Sequence, residues 1–110
     1  MDELVQRLSA GDHPVVLGRS GATALDIQAD LEREYIALKF TDTRGGTGVG
    51  VRVDPTATDT SGADFAAGSG PLHLEGTLTL NYVRVRAVAD VDLATLQGSG
   101  HLEVIEEVAP

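Results

Sequence analysis

Residues 71–93, PLHLEGTLTLNYVRVRAVADVDL, decide how this chain folds. Leu72, Leu74, Leu78 and Leu80 hold the even positions of the stretch, and Val83, Val85, Ala87, Ala89 and Val91 the odd ones. Apolar residues at every second position mark a strand with one buried face and one wet face. The parity changes once, at Asn81-Tyr82. A continuous strand cannot do this, because a one-residue shift turns every side chain to the other face. A hairpin closing at Asn81-Tyr82 accounts for the change. It sets Leu80 opposite Val83, Leu78 opposite Val85, Leu74 opposite Ala89 and Leu72 opposite Val91. A β-bulge within one long bent strand would insert the same extra residue. Asn suits a two-residue turn and Tyr does not, but the apolar pairing agrees at every rung and favours the hairpin.

Downstream, Gln97-Gly98-Ser99-Gly100 reads as a turn and HLEVIEE as the last strand, ending in Glu106-Glu107 and a tail to Pro110. This register places Leu93 opposite Leu102 and Val91 opposite Val104. Upstream, residues 54–70, DPTATDTSGADFAAGSG, have no periodicity and read as a long mobile loop with Phe65 as its apolar anchor. Asp54, Asp59 and Asp64 within it do not have the spacing of an EF-hand calcium loop. Val49, Val51 and Val53 alternate, as do Ile36, Leu38 and Phe40. A turn in DTRGGTG centred on Arg44-Gly45 sets Phe40 opposite Val49, Leu38 opposite Val51 and Ile36 opposite Val53. The glycines of that turn lack the following Lys-Ser/Thr of a phosphate loop.

Residues 23–32 are ambiguous. Leu25, Ala29, Glu32 and Ile36 would make a poor helical stripe, whereas Leu25, Ile27, Ala29 and Leu31 alternate with polar residues. A strand is therefore expected there, turning at residues 32–35 to set Leu31 opposite Ile36 and Ile27 opposite Phe40. Val15 to Leu17 form a short first strand. Residues 2–10, DELVQRLSA, form a short amphipathic helix with Leu4, Val5 and Leu8 on one face and Gly11 beyond its end. A helix this short needs something to pack on.

Composition narrows the function. The 110 residues suit a single domain, 42% hydrophobic, with room for one modest core. No cysteine is present, which removes disulfides, thiolate catalysis and cysteine zinc sites. Nothing approaches the run of about twenty apolar residues that spans a bilayer, and no signal-peptide pattern opens the chain, so a soluble cytoplasmic protein without a membrane partner is expected. The net charge is −9, with 17 acidic residues against 8 basic ones, which opposes a nucleic-acid partner. No cofactor motif is present, and four aromatic residues supply few stacking platforms.

Two constellations carry chemistry. GSG followed by HLE occurs twice, as GSGPLHLE (68–75) and GSGHLE (98–103), so that each His lies two residues from a Glu on the same strand face. The expected registers set His73 opposite Asp90 and Asp92 opposite Glu103, with His101 one step along. His73, Asp90, Asp92, His101 and Glu103 would then gather at one end of the polar sheet face, a donor set suited to a divalent metal or to acid–base work. At the other end Arg84 and Arg86, flanked by Thr77 and Thr79 and by Tyr82 at the turn, suit a carboxylate or phosphate. No nucleophile stands out, and Gly18-Arg19-Ser20-Gly21 lacks the spacing of a nucleophile elbow.

The expectation is a mainly β protein. About seven or eight antiparallel strands form a meander that closes as a small barrel or strongly curled sheet, with a short N-terminal helix. Its interior is expected to bind, or to cyclise or isomerise, a small apolar ligand beneath the 54–70 loop. Leu38, Phe40, Leu74, Leu78, Val83 and Val85 would line it, with Tyr82, Arg84 and Arg86 nearby. The alternatives are an accessory subunit acting through its sheet edge and helix, and a metal-dependent polar face. An open sheet edge also makes a homodimer the expected assembly.

Overall fold

A computed structural model describes residues 2–108. Six strands, β1 (His13–Leu17), β2 (Tyr35–Phe40), β3 (Thr47–Val53), β4 (Pro71–Leu80), β5 (Val83–Asp92) and β6 (Gln97–Glu107), form a closed antiparallel barrel in chain order. Helix α1 (Glu3–Ser9) precedes β1 and helix α2 (Ala24–Glu32) follows it, so the two helices leave opposite ends of that strand. The expected mainly β meander, closed as a small barrel with a short N-terminal helix, is the observed architecture. The Pro110 tail lies outside the described residues.

The β4–β5 hairpin is paired along both strands, and its register is the one the parity change implies. Leu80 pairs with Val83, Leu78 with Val85, Leu74 with Ala89 and Leu72 with Val91. Asn81 and Tyr82 both have positive φ, 49° and 64°, as a two-residue turn matched to strand twist requires. The even residues of β4 and the odd residues of β5 point inward. Leu72, Leu74, Val85, Ala87 and Ala89 are at most 1% exposed, and they join Leu17, Leu38, Phe40, Val51 and Leu102 in one core.

Helix α1 closes one end of this core. Asp2 caps it by accepting from Val5 N at 3.0 Å, and Val5 and Leu8 are fully buried, three residues apart on one face. The buried ring of His13, at the start of β1, ties this end together. Its Nδ1 lies 2.8 Å from Asp42 Oδ2, its Nε2 3.2 Å from Ala10 O, and the ring meets Phe40 in a T-shaped contact.

Three expectations of detail are corrected. Residues 24–32 are a helix rather than a strand, which brings the strand count to six. The cause is a capping box: Thr23 Oγ1 accepts from Asp26 N, and Asp26 Oδ2 accepts from Thr23 N. Ile27 is buried, Leu31 packs partly buried against the core, and Leu25 is 58% exposed, so two apolar anchors suffice where a full stripe was sought. The β2–β3 hairpin is shifted by one rung pair, with Leu38 opposite Val49, Ile36 opposite Val51 and Phe40 opposite Thr47, because the connecting turn occupies residues 41–46. Last, Gln97–Gly100 begins β6 instead of forming a turn. Asp92 faces Gln97, Ala87 faces Leu102 and Val85 faces Val104, and the chain reverses at residues 93–96. A Cβ on Gly98 would overlap the Asp90 carbonyl, so that glycine serves close strand approach rather than a turn.

Residues 54–70 fold as successive turns against β4. Asp54, Asp59 and Asp64 each accept from a backbone N–H two or three residues on, at Thr56, Ser61 and Ala67. These aspartates are turn formers. Thr58 exchanges hydrogen bonds with the Glu75 backbone, Asp59 bridges His73, and Phe65 packs against the core. No helix among the described residues is long and apolar enough to cross a membrane.

Candidate functional site

The barrel wall is weakest between β3 and β4. Their ladder consists of two pairs, Arg52 with Thr77 and Val53 with Gly76. Gly76 makes this pinch: a Cβ there would overlap the Arg52 carbonyl and crowd Val51. Val53 N donates to Glu34 O, toward β2, and Asp54 N donates to Glu75 O, toward β4. Backbone direction alternates along a strand, so Gly48, Gly50 and Arg52 face β4, while Val49 and Val51 face β2. By the same alternation Thr77 and Thr79 face β3. Continuing the ladder would pair Gly50 with Thr79, and no such pair forms. The strands part there into an open-sided cleft of about 670 Å³.

This seam has two kinds of wall. Val49, Leu78 and Leu80, partly buried against the core, give it an apolar floor. Arg52, Arg84, Thr77, Thr79 and Tyr35 form a polar rim. A side chain on Gly50 would collide with the Tyr35 hydroxyl, so this glycine leaves room for the Tyr35 ring on the outer face. Arg84 lies 3.6 Å from Glu106, a long contact between half-exposed groups. Among the described residues ion pairs engage Arg33, Arg84 and Arg86, and Arg52 enters none of them.

Of the expected ligand residues, Leu78 and Arg84 line this seam. Leu38, Phe40, Leu74, Val83 and Val85 are 0–2% exposed and belong to the packed core of the barrel rather than to this cleft. Tyr82 stands 61% exposed at the hairpin tip. Arg86 is fully engaged, with Nε donating to Glu75 Oε1 at 2.8 Å and a terminal nitrogen to Asp54 Oδ2 at 2.9 Å. It pins the 54–70 segment to the barrel wall. Thr56 and the Arg86 guanidinium together hold the Asp54 carboxyl down to about 2.

The five expected metal ligands fall into separate groups. His73 lies between Glu75 and Asp90, its Nε2 and Nδ1 each 2.7 Å from a carboxylate oxygen. His101 lies between Glu103, 2.9 Å from Nε2, and Asp12, 3.2 Å from Nδ1. Asp92 joins neither, because it faces Gln97 rather than Glu103 and accepts from Ala94 N at the β5–β6 turn. The two copies of the HLE phrase thus build the same arrangement, an imidazole between two carboxylates. Both ring nitrogens then face acceptors, a setting that only the imidazolium satisfies fully. The Glu75 hydrogen bond first, and then Asp90, raises the His73 pKa; Glu103 does most to raise that of His101. Among the described residues no group of three or more His, Asp or Glu is arranged to hold a metal ion.

Glu75 could have been found from its place two residues after His73. Arg52, Tyr35 and Asp12 gave no signal of their own, since each acquires its partners from strands distant in sequence. No protein-family model matches this chain, and no curated protein matches it.

Proposed function

We propose that this barrel binds a small molecule, and that the ligand seats in the seam between β3 and β4 rather than in the barrel interior. The interrupted ladder carries this reading. A closed wall would pair Gly50 with Thr79, whereas here those backbone groups border a cleft with an apolar floor and a polar rim. Its size falls within the several hundred Å³ usual for small-molecule sites. Among the described residues no carboxylate or imidazole lines the seam, which favours binding over proton-transfer chemistry. The test uses 1-octanol, an uncharged chain, added to isotopically labelled protein while amide resonances are followed by NMR. Shifts concentrated at Gly48, Gly50, Thr79 and Leu80 support the reading. Shifts confined to other surfaces, or none at millimolar octanol, overturn it.

A second reading, self-association, has its own observation. Val104 and Ile105 near the end of β6 and Val108 just beyond it are 38–50% exposed, where a register shift opposite Arg84 and Val85 gives β6 an extra residue. Two copies meeting at this patch would cover it. Glu103, Glu106 and Glu107 surround it, so added salt should strengthen the dimer by screening their repulsion. Sedimentation should give a dimer that Ile105→Glu converts to monomer. A monomer at all concentrations and salt levels rejects this reading.

A further inference from the structure

We infer that the seam selects an amphiphile with an anionic head, an acyl-chain carboxylate being the simplest case; this rests on the seam being the ligand seat. The argument is local charge set against global charge. The protein carries −9 overall, with acidic residues more than twice as numerous as basic ones. The rim of the seam nevertheless carries Arg52 and Arg84 and, among the described residues, no acid. The two arginines flank the seam from opposite sides. Arg52 lies on β3 opposite Thr77, and Arg84 lies on β5 opposite Thr79 of β4.

Arg86, one rung from Arg84, is the useful contrast. It meets two carboxylates at 2.8 and 2.9 Å and has its charge answered within the fold. Arg52 has no such partner among the described residues, and Arg84 has only the 3.6 Å contact with Glu106. Guanidinium groups with free donors recognise planar oxyanions by paired, charge-assisted hydrogen bonds. The Thr77, Thr79 and Tyr35 hydroxyls add neutral donors on the same rim. Leu78, Leu80 and Val49 then meet the chain that follows the head, and burying methylene groups there contributes affinity along its length. A head without a chain would leave the floor wet, and a chain with a cationic head would meet two like charges.

Three probes with one chain length separate these contributions: octanoate, 1-octanol and octylammonium, each titrated while the Gly50 and Thr79 amides are followed. Octanoate should bind about tenfold more tightly than octanol, the scale of one charge-assisted contact at a partly exposed site. Octylammonium should bind more weakly than either. Arg52→Ala and Arg84→Ala should each remove most of the octanoate advantage and leave octanol affinity unchanged. Arg19→Ala, in the β1–α2 connection and outside the seam lining, should change neither. Circular dichroism of each variant confirms that the barrel is folded. Equal affinity for octanoate and octanol, or an octanoate advantage that survives both arginine variants, overturns the anionic class while the seam remains the ligand seat. If no probe moves the seam amides, the seat itself is wrong.

Discussion

At the residue scale, the three histidines share one environment built from different parts of the chain. His13, His73 and His101 each have both ring nitrogens next to oxygen acceptors, and all three pKa values are raised. The sign of the pH dependence follows. A group whose folded pKa lies above its unfolded value of 6.5 contributes stability in full below 6.5 and loses it as pH rises through the folded value. Asp54 acts in the opposite direction. Its contribution is present above the ordinary 3.8 and is lost as pH falls toward about 2. Urea midpoints should therefore be highest between about pH 4 and 6.5 and decline on the alkaline side. His73→Gln should flatten part of that decline, and a midpoint constant from pH 6 to 9 would contradict the assignment. The HLE phrases made the His–Glu pairs legible. Asp90 opposite His73 followed from the β4–β5 register, whereas the second carboxylate of His101 was not legible, because Asp12 reaches it from the α1–β1 connection.

Tyr82 is a second case at this scale. It occupies the left-handed region at φ 64° with most of its side chain in solvent, so its conformation costs energy and its packing returns little. Tyr82→Gly should raise stability by about 1 kcal/mol in chemical denaturation. A loss of stability would mean that the ring makes a contact the exposed position does not suggest.

At the scale of elements, hairpin β4–β5 was legible because parity is a local signal that survives whatever surrounds it. Its register follows from Leu80, Asn81, Tyr82 and Val83 alone. The β5–β6 register was not legible. Gly98 and Gly100 carry the composition of a turn but serve close packing against Asp90 and Val88, a demand visible only once the strands are side by side. Helix α2 failed for a different reason. Leu25, Ile27, Ala29 and Leu31 alternate by coincidence, and the deciding signal was the Thr23–Asp26 capping box at the segment's start. Thr23→Ala should cost about 1 kcal/mol and fray the first turn of α2 without opening the barrel. Loss of helical circular dichroism without loss of the sheet signal checks this, and a wild-type midpoint would show that the box does not hold the helix.

At the scale of the whole molecule, the apolar residues expected to line a cavity are buried together in one core, and the accessible cleft lies in the wall between β3 and β4. The apolar alternation correctly selects Leu38, Phe40, Leu74 and Val85 as inward residues, but it cannot tell a filled barrel from a hollow one. That depends on how the six strands and the two helices packed on them share the interior volume. The seam was hidden for a related reason. It arises from the two-rung contact at Gly76, between strands separated by residues 54–70.

The open seam is the central claim, and residue-resolved amide hydrogen exchange tests it most directly. Val49 and Val51, which face β2, should exchange slowly, as should Val85 and Ala87 in the β4–β5–β6 wall. Gly48, Gly50 and Thr79, which face the seam, should exchange at least about a hundredfold faster than those neighbours. Gly50 and Thr79 protected to the level of Val51 would mean that the β3–β4 ladder is closed, and the proposed ligand seat would not exist.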